Sequence, residues 1–173
     1  MMQMIQEMIK IPEARIGLVI GEGGKVKKEL QKSFGAKLTI NKDGTIEISS
    51  EEGLNVYKLK KAVEGIARGL SLDIVLSLCD DSYNLEVINL TDVIGKNKNA
   101  INRYKSRLIG TGGRIKKIIE KKTDTDIALH GHKIAILGKY EDVENAKSAI
   151  ELILQGNDFK TVFTVLDNKL IDR

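Results

Sequence analysis

Apolar residues along this chain switch between two spacings, and the switches recur in the same order in each half. Met4 to Ile11 is rich in Met and Ile and reads as a strand. Pro12 suits the first turn of a helix and Glu13 complements its positive end, so a short helix is expected to about Val19. Val26, Leu30 and Phe34 then recur at every fourth residue, one buried face of a second helix that Gly35 is placed to end. Leu38 and Ile40 alternate with polar neighbours as in a half-buried strand. Asp43-Gly44 marks a hairpin turn, and Thr45 to Ser49 is the returning strand. After Glu51-Glu52, a long amphipathic helix carries Val56, Leu59, Val63 and Ile66 to a stop near Gly69.

From Tyr83 the order repeats. Tyr83 to Leu90 is the strand, and Asn97 is placed to cap a helix through Leu108. Ile115, Ile118 and Ile119 mark the buried face of the next helix. Ile127 and Leu129 alternate, His130-Gly131-His132 makes the turn, and Ile134 and Ile136 return. Val143, Ala146, Ile150 and Ile153 line the last long helix, and Gly156 answers Gly69. Between the copies, Leu72, Val75, Leu76 and Cys79 form one stripe of a short extra helix. The tail carries Phe163, Val165 and Leu166 and reads as a short docked helix. The expected organisation is a first domain at 1–70, a linker helix at 71–82, a second domain at 83–156 and a helical tail at 157–173.

The copies are tied together by two glycine tetrapeptides 89 positions apart. Ile20-Gly21-Glu22-Gly23-Gly24-Lys25-Val26-Lys27-Lys28 lies over Ile109-Gly110-Thr111-Gly112-Gly113-Arg114-Ile115-Lys116-Lys117 without a gap. A GxxG between two helices lets a ligand approach the backbone closely, because no Cβ intervenes, and its amides favour anions. Behind each loop runs a matching row of cations: Lys25, Lys28 and Lys32, and Arg114, Lys117 and Lys121. Spacings of three and seven put each row on one helical face, away from the apolar stripe. Two other phosphate motifs fail. A Walker A loop needs Ser or Thr after the lysine, where Val26 stands, and a glycine at position 19, which is Val. The dinucleotide fingerprint needs a third glycine where Val26 and Ile115 stand.

Composition narrows the chemistry. With 173 residues, 42% of them apolar and 30% charged, the chain has room for two modest cores. It carries no 18-residue apolar run and no signal-peptide pattern, so a cytoplasmic protein without a membrane span is expected. The single cysteine, Cys79, excludes an internal disulfide and is read as a small apolar helix residue. The net charge is only +4, but it is unevenly spread. Lys96 to Lys122 holds ten Lys or Arg against one acid, and Lys10 to Lys37 holds seven against three. That charge surrounds the two loops, where a polyanion would be met. His130 and His132 lack a third ligand, so no metal site is expected. Asp80-Asp81 read as the end of a helix and the start of a turn. No cofactor and no catalytic constellation is expected.

A strand–helix–GxxG–helix–strand–strand–helix frame, present twice, resembles the type I KH domain, which clamps about four single-stranded nucleotides at its loop. The resemblance implies an α+β fold: two type I KH domains, each β-α-α-β-β-α with a three-stranded antiparallel sheet packed on helices. It further implies an apolar groove floor, Ile20, Val26, Leu38 and Ile40 in the first copy and Ile109, Ile115, Ile127 and Leu129 in the second. Leu76, Asp80-Asp81, Tyr83, Leu85-Glu86-Val87-Ile88, Leu90 and Val93-Ile94-Gly95-Lys96, followed by the helix from Asn97 to Arg107, narrow it. These resemble the archaeal tandem KH rRNA-processing proteins, related to the eukaryotic partner-of-NOB (Dim-two) pre-rRNA processing factors. That family implies a non-enzymatic protein bound near the 3′ end of small-subunit rRNA. It also implies contact with the endonuclease that trims that end and with the alpha subunit of translation initiation factor two.

The copies are not equivalent. Glu22 stands inside the first tetrapeptide, whereas Thr111 is neutral and can donate a hydrogen bond. Arg103, Lys105 and Arg107 add cations to the helix before the second loop, and Tyr104 among them reads as a packing residue. The second loop, Gly110, Thr111, Gly112 and Gly113, is therefore expected to carry most of the RNA affinity, with Gly21, Glu22, Gly23 and Gly24 secondary. The alternative is a KH-fold protein-interaction scaffold with little RNA binding of its own.

Overall fold

The computed structural model describes residues 2–172, which divide into two units, 2–83 and 84–172. In the first, strand β1 (Ile5–Lys10) leads through a 3-10 turn at Glu13–Arg15 into helix α1 (Ile16–Ile20). The loop follows, then α2 (Lys25–Phe34), β2 (Lys37–Ile40), β3 (Thr45–Ser50) and α3 (Gly53–Arg68). The strands form an antiparallel sheet in the order β1-β3-β2, with Ile46 opposite both Ile9 and Ile40 and Ile48 opposite Leu38. The turn before β3 is set locally. Asp43 accepts the Thr45 amide at 2.9 Å and its hydroxyl at 3.1 Å, and those bonds hold its carboxyl below the ordinary carboxylate value. Leu30, Leu38, Ile46, Ile48, Leu59 and Val63 are buried between sheet and helices. Burying each such side chain contributes about 1.5–3 kcal/mol, which holds the helices to the sheet.

The segment after Gly69 belongs to the first unit. Helix α4 (Leu72–Leu76), capped by Ser71, tightens into a 3-10 turn at Ser77–Cys79. That tightening changes the phase expected from a continuous helix: Val75 and Leu78 are buried, and Cys79 is exposed. Asp80 then accepts the Ser82 amide at 2.8 Å, starting the turn into β4 (Tyr83–Asn89), and Asp81 pairs with Lys58 at 2.5 Å.

The second unit has the sheet order β4-β6-β5, where β5 is Asp126–His130 and β6 is Lys133–Lys139. Its hairpin is tighter than the first. His130 pairs with Lys133, so the turn is Gly131-His132 alone and His130 is still strand. The strand-to-loop connection is longer: 21 residues from Asn89 to Gly110, against 11 from Lys10 to Gly21. The surplus holds helix α5 (Leu90–Ile94), where the sequence pattern had suggested only the strand end, and a full α6 (Lys98–Ile109). Asn97 caps α6 by accepting the Ala100 amide at 3.1 Å, as its position suggested. Helices α7 (Arg114–Thr123), α8 (Tyr140–Leu154) and α9 (Phe159–Ile171) complete the unit. The tail is a 13-residue helix, longer than expected, whose Val162 and Leu166 are buried in the unit's core.

Candidate nucleic-acid interface

Each tetrapeptide is a backbone hook between two helices. Gly21 and Gly110 have nearly the same conformation, φ 73° with ψ 173° and 175°. A Cβ at either would collide with the branched side chain five residues on and stand 2.9 Å from its backbone nitrogen (Val26 or Ile115). The first glycine is thus required by the fold. The later ones are required by conformation but not by space. Gly23 and Gly112 lie at φ 61° and 62°, and a Cβ on either would meet nothing within 4 Å. The loop is closed on the protein side and open on the solvent side, the arrangement a backbone-hugging ligand needs. Glu22 and Thr111 are exposed at its tip.

Behind the hooks, Lys25, Lys28 and Lys32 are exposed on α2, and Arg114, Lys117 and Lys121 on α7. The two flanks of α7 are separated by this row. On one flank Glu120 accepts the Ile127 amide of edge strand β5 at 3.1 Å and pairs with Lys116 at 3.0 Å. In the first copy, Gln31 makes the same link to the Leu38 amide at 2.8 Å. This side-chain bridge sets the spacing between the second helix of each hook and the edge strand, and so the width of the groove between them. Beside it, burial first and then the Glu120 and Asp124 carboxylates push the Asp126 carboxyl above its ordinary value, with Lys116 opposing. On the other flank Lys122 pairs with Asp167 of α9 at 2.6 Å.

The expected groove residues divide by burial. Ile20, Val26, Ile40, Ile109 and Leu129 are half-buried and present apolar surface, whereas Leu38, Ile115 and Ile127 are buried and act mainly as core. Arg103 is exposed, stacked at 5.3 Å over the half-buried ring of Tyr104. Arg107 requires a correction. Its guanidinium donates to the Ile153 carbonyl at 2.9 Å and the Asn157 carbonyl at 2.8 Å, and lies 5.3 Å from the Phe159 ring centre. It caps the end of α8 and ties it to α6 and α9, so it does not stand in the exposed cation row. Sequence spacing cannot reveal this, since its partners lie 46 and 50 residues downstream.

The geometry agrees with known proteins. Residues 84–170 match the model of the eukaryotic-type KH domain (KH-domain type I), and residues 5–66 match the KH domain model. A KH domain-containing protein of Methanocaldococcus jannaschii is 37% identical over 167 residues, 94% of this chain and 73% of its own length. The crystal structure of Dim2p from Pyrococcus horikoshii superposes with a TM-score of 0.87 at 36% identity, covering 95% of this chain and 99% of the other. A chain of the Pyrococcus horikoshii a/eIF2alpha–aDim2p–rRNA complex superposes with a TM-score of 0.90 at 35% identity, covering 98% and 96%. The chain belongs to the tandem KH-domain rRNA-processing family that includes Dim2p and is related to the eukaryotic partner-of-NOB factors.

Proposed function

We propose that this protein is a non-enzymatic binder of single-stranded RNA in the maturation of the small ribosomal subunit, with Gly110–Gly113 as its main clamp. The 3′ region of small-subunit rRNA is the strand we assign to it. The observation that carries the reading is the solvent-open second hook, with a neutral Thr111 at its tip and exposed Arg114, Lys117 and Lys121 behind it. A sugar–phosphate backbone drawn along the hook meets amides and then cations, while its bases lie on the half-buried Ile109 and Leu129. Aromatic residues are only 4% of the chain, which favours apolar contact and edge hydrogen bonds over a stacking platform in this groove.

The alpha subunit of initiation factor two and the rRNA 3′-end endonuclease are the protein partners in this reading. The archaeal relative in complex with the first of these and rRNA supports that choice. Glu22 at the tip of the first hook opposes phosphate, so the first domain is assigned the lesser RNA role and is free to meet a protein. Among the described residues no helix is long and apolar enough to cross a membrane, and a cytoplasmic site of action is proposed.

Fluorescence anisotropy tests the reading, with a labelled strand matching the small-subunit rRNA 3′ end, a scrambled strand and duplex DNA at two salt concentrations. The double variant Thr111→Asp, Gly112→Asp sets two negative charges against the phosphates, and circular dichroism checks its fold. Preferential binding of the matching strand that the folded variant loses is the expected result. Equal binding by variant and wild type removes the clamp from the second hook.

A further inference from the structure

We propose that the second unit carries a separate nucleotide-binding cleft, on the α9 side of its hook, for one base and phosphate flanking the nucleotides clamped at Gly110–Gly113. The inference rests on the reading of that hook as an RNA clamp and adds a second subsite to it. The cleft, of about 840 Å³, lies between α6, the hook, α7 and α9. That size is within the roughly 300–1,000 Å³ that holds a compact organic ligand. It opens on the flank of α7 carrying Ile118, whereas the Lys116–Glu120 flank faces β5 and the groove. The hook residues Gly110 and Thr111 border the cleft, so a strand leaving the clamp can turn into it without crossing other structure.

Its chemistry is that of a nucleotide. One wall is Phe159 and Phe163, one turn apart on α9, their rings 18° from parallel with centres 6.3 Å apart. Opposite stand Arg103 and Arg114, both exposed, and no carboxylate is among the described residues that line the cleft. Aromatic faces accept any base, and arginines hold a phosphate in a bidentate grip. Arg107, committed to the Ile153 and Asn157 carbonyls, holds the aromatic wall in place through its contact with Phe159. The first unit has no counterpart, since between Gly69 and Tyr83 its sequence holds no aromatic residue. The cleft is thus a property of the copy whose hook lacks the carboxylate.

The test separates the two subsites by strand length. A labelled strand matching the small-subunit rRNA 3′ end is shortened from either end to the shortest that binds. One nucleotide is then restored on each side in turn, either intact or abasic. For the wild-type protein, one intact flanking nucleotide is expected to tighten binding about tenfold, and its abasic form to give a smaller gain. Phe159→Leu with Phe163→Leu keeps apolar bulk for packing and is expected to remove the gain from the base while leaving the shortest strand unaffected. Phe163→Leu alone serves if the double variant unfolds. A flanking base that gives no gain on either side, or a gain that the leucine variants retain, overturns the cleft and leaves the clamp standing. Loss of the shortest strand by a folded leucine variant also overturns it, by merging the two subsites. Failure of every strand to bind wild type overturns clamp and cleft together.

Discussion

Replacing Arg107 with methionine tests whether this cation serves the fold or the strand. The side chain bridges α6 to the end of α8, where the terminal carbonyls of a helix lack intrahelical donors. Methionine keeps the apolar stem and removes both donors. A hydrogen bond from a charged group is worth about 1.5–3 kcal/mol net, and two are lost here. The site is half-buried, so water replaces part of each. Taking the lower value for both bonds gives a loss of about 3 kcal/mol, to which the Phe159 contact adds about 0.5 kcal/mol. For a unit of this size that lowers the melting temperature by more than about 10 °C. Urea unfolding followed by circular dichroism measures it, and anisotropy well below the midpoint measures binding of the shortest RNA strand. The expectation is a large stability loss with affinity for that strand unchanged. Stability within about 0.5 kcal/mol of wild type, together with a tenfold weaker grip on the strand, would refute the assignment of Arg107 to the fold.

Exchanging the loop tips should exchange part of the affinity. A carboxylate about 4 Å from a phosphate in water costs about 1 kcal/mol, so Thr111→Glu should weaken binding about fivefold and Glu22→Thr should strengthen the first hook, both less so in high salt. An anisotropy difference that persists undiminished in high salt would point to shape rather than charge. Asp124 occupies the left-handed position (φ 54°) that Gly35 fills in the first copy, so Asp124→Gly should raise the urea-derived stability by about 0.5–1 kcal/mol. An unchanged or lowered midpoint counts against strain there. Asp126 has its proton held more tightly folded than unfolded. Its contribution to stability is therefore present below the ordinary carboxylate value, about pH 4, and is lost as pH rises through the folded value. Asp126→Asn should flatten that decline and raise the urea midpoint at neutral pH; an unaltered pH profile would sink the idea.

Much of the fold was legible because its signals are local. The interval of four in Val26, Leu30 and Phe34 reports one turn of helix, and Asp43-Gly44 closes a hairpin through bonds two residues long. What escaped was phase and insertion. A stripe through Leu72, Val75 and Cys79 assumes uniform helical pitch, and a 3-10 turn at Ser77–Cys79 buried Leu78 instead. Helix α5 escaped because only its first residue, Leu90, was placed, as the end of the strand, and its start is decided by the Asn89 side chain accepting the Thr91 amide.

The sequence by itself determined that there are two copies, where each hook lies and which cations accompany it, since glycine conformation and helical period act within a turn or two. Only the tertiary structure decided which of those cations remain free. Arg107 and Lys122 find partners 45 to 50 residues away, on the ends and faces of helices that follow the hook by a whole sheet. Arg114, Lys117 and Lys121 stay exposed because α7 turns that face to water. The charge of a residue is written in the chain, but the competition for that charge is settled by packing.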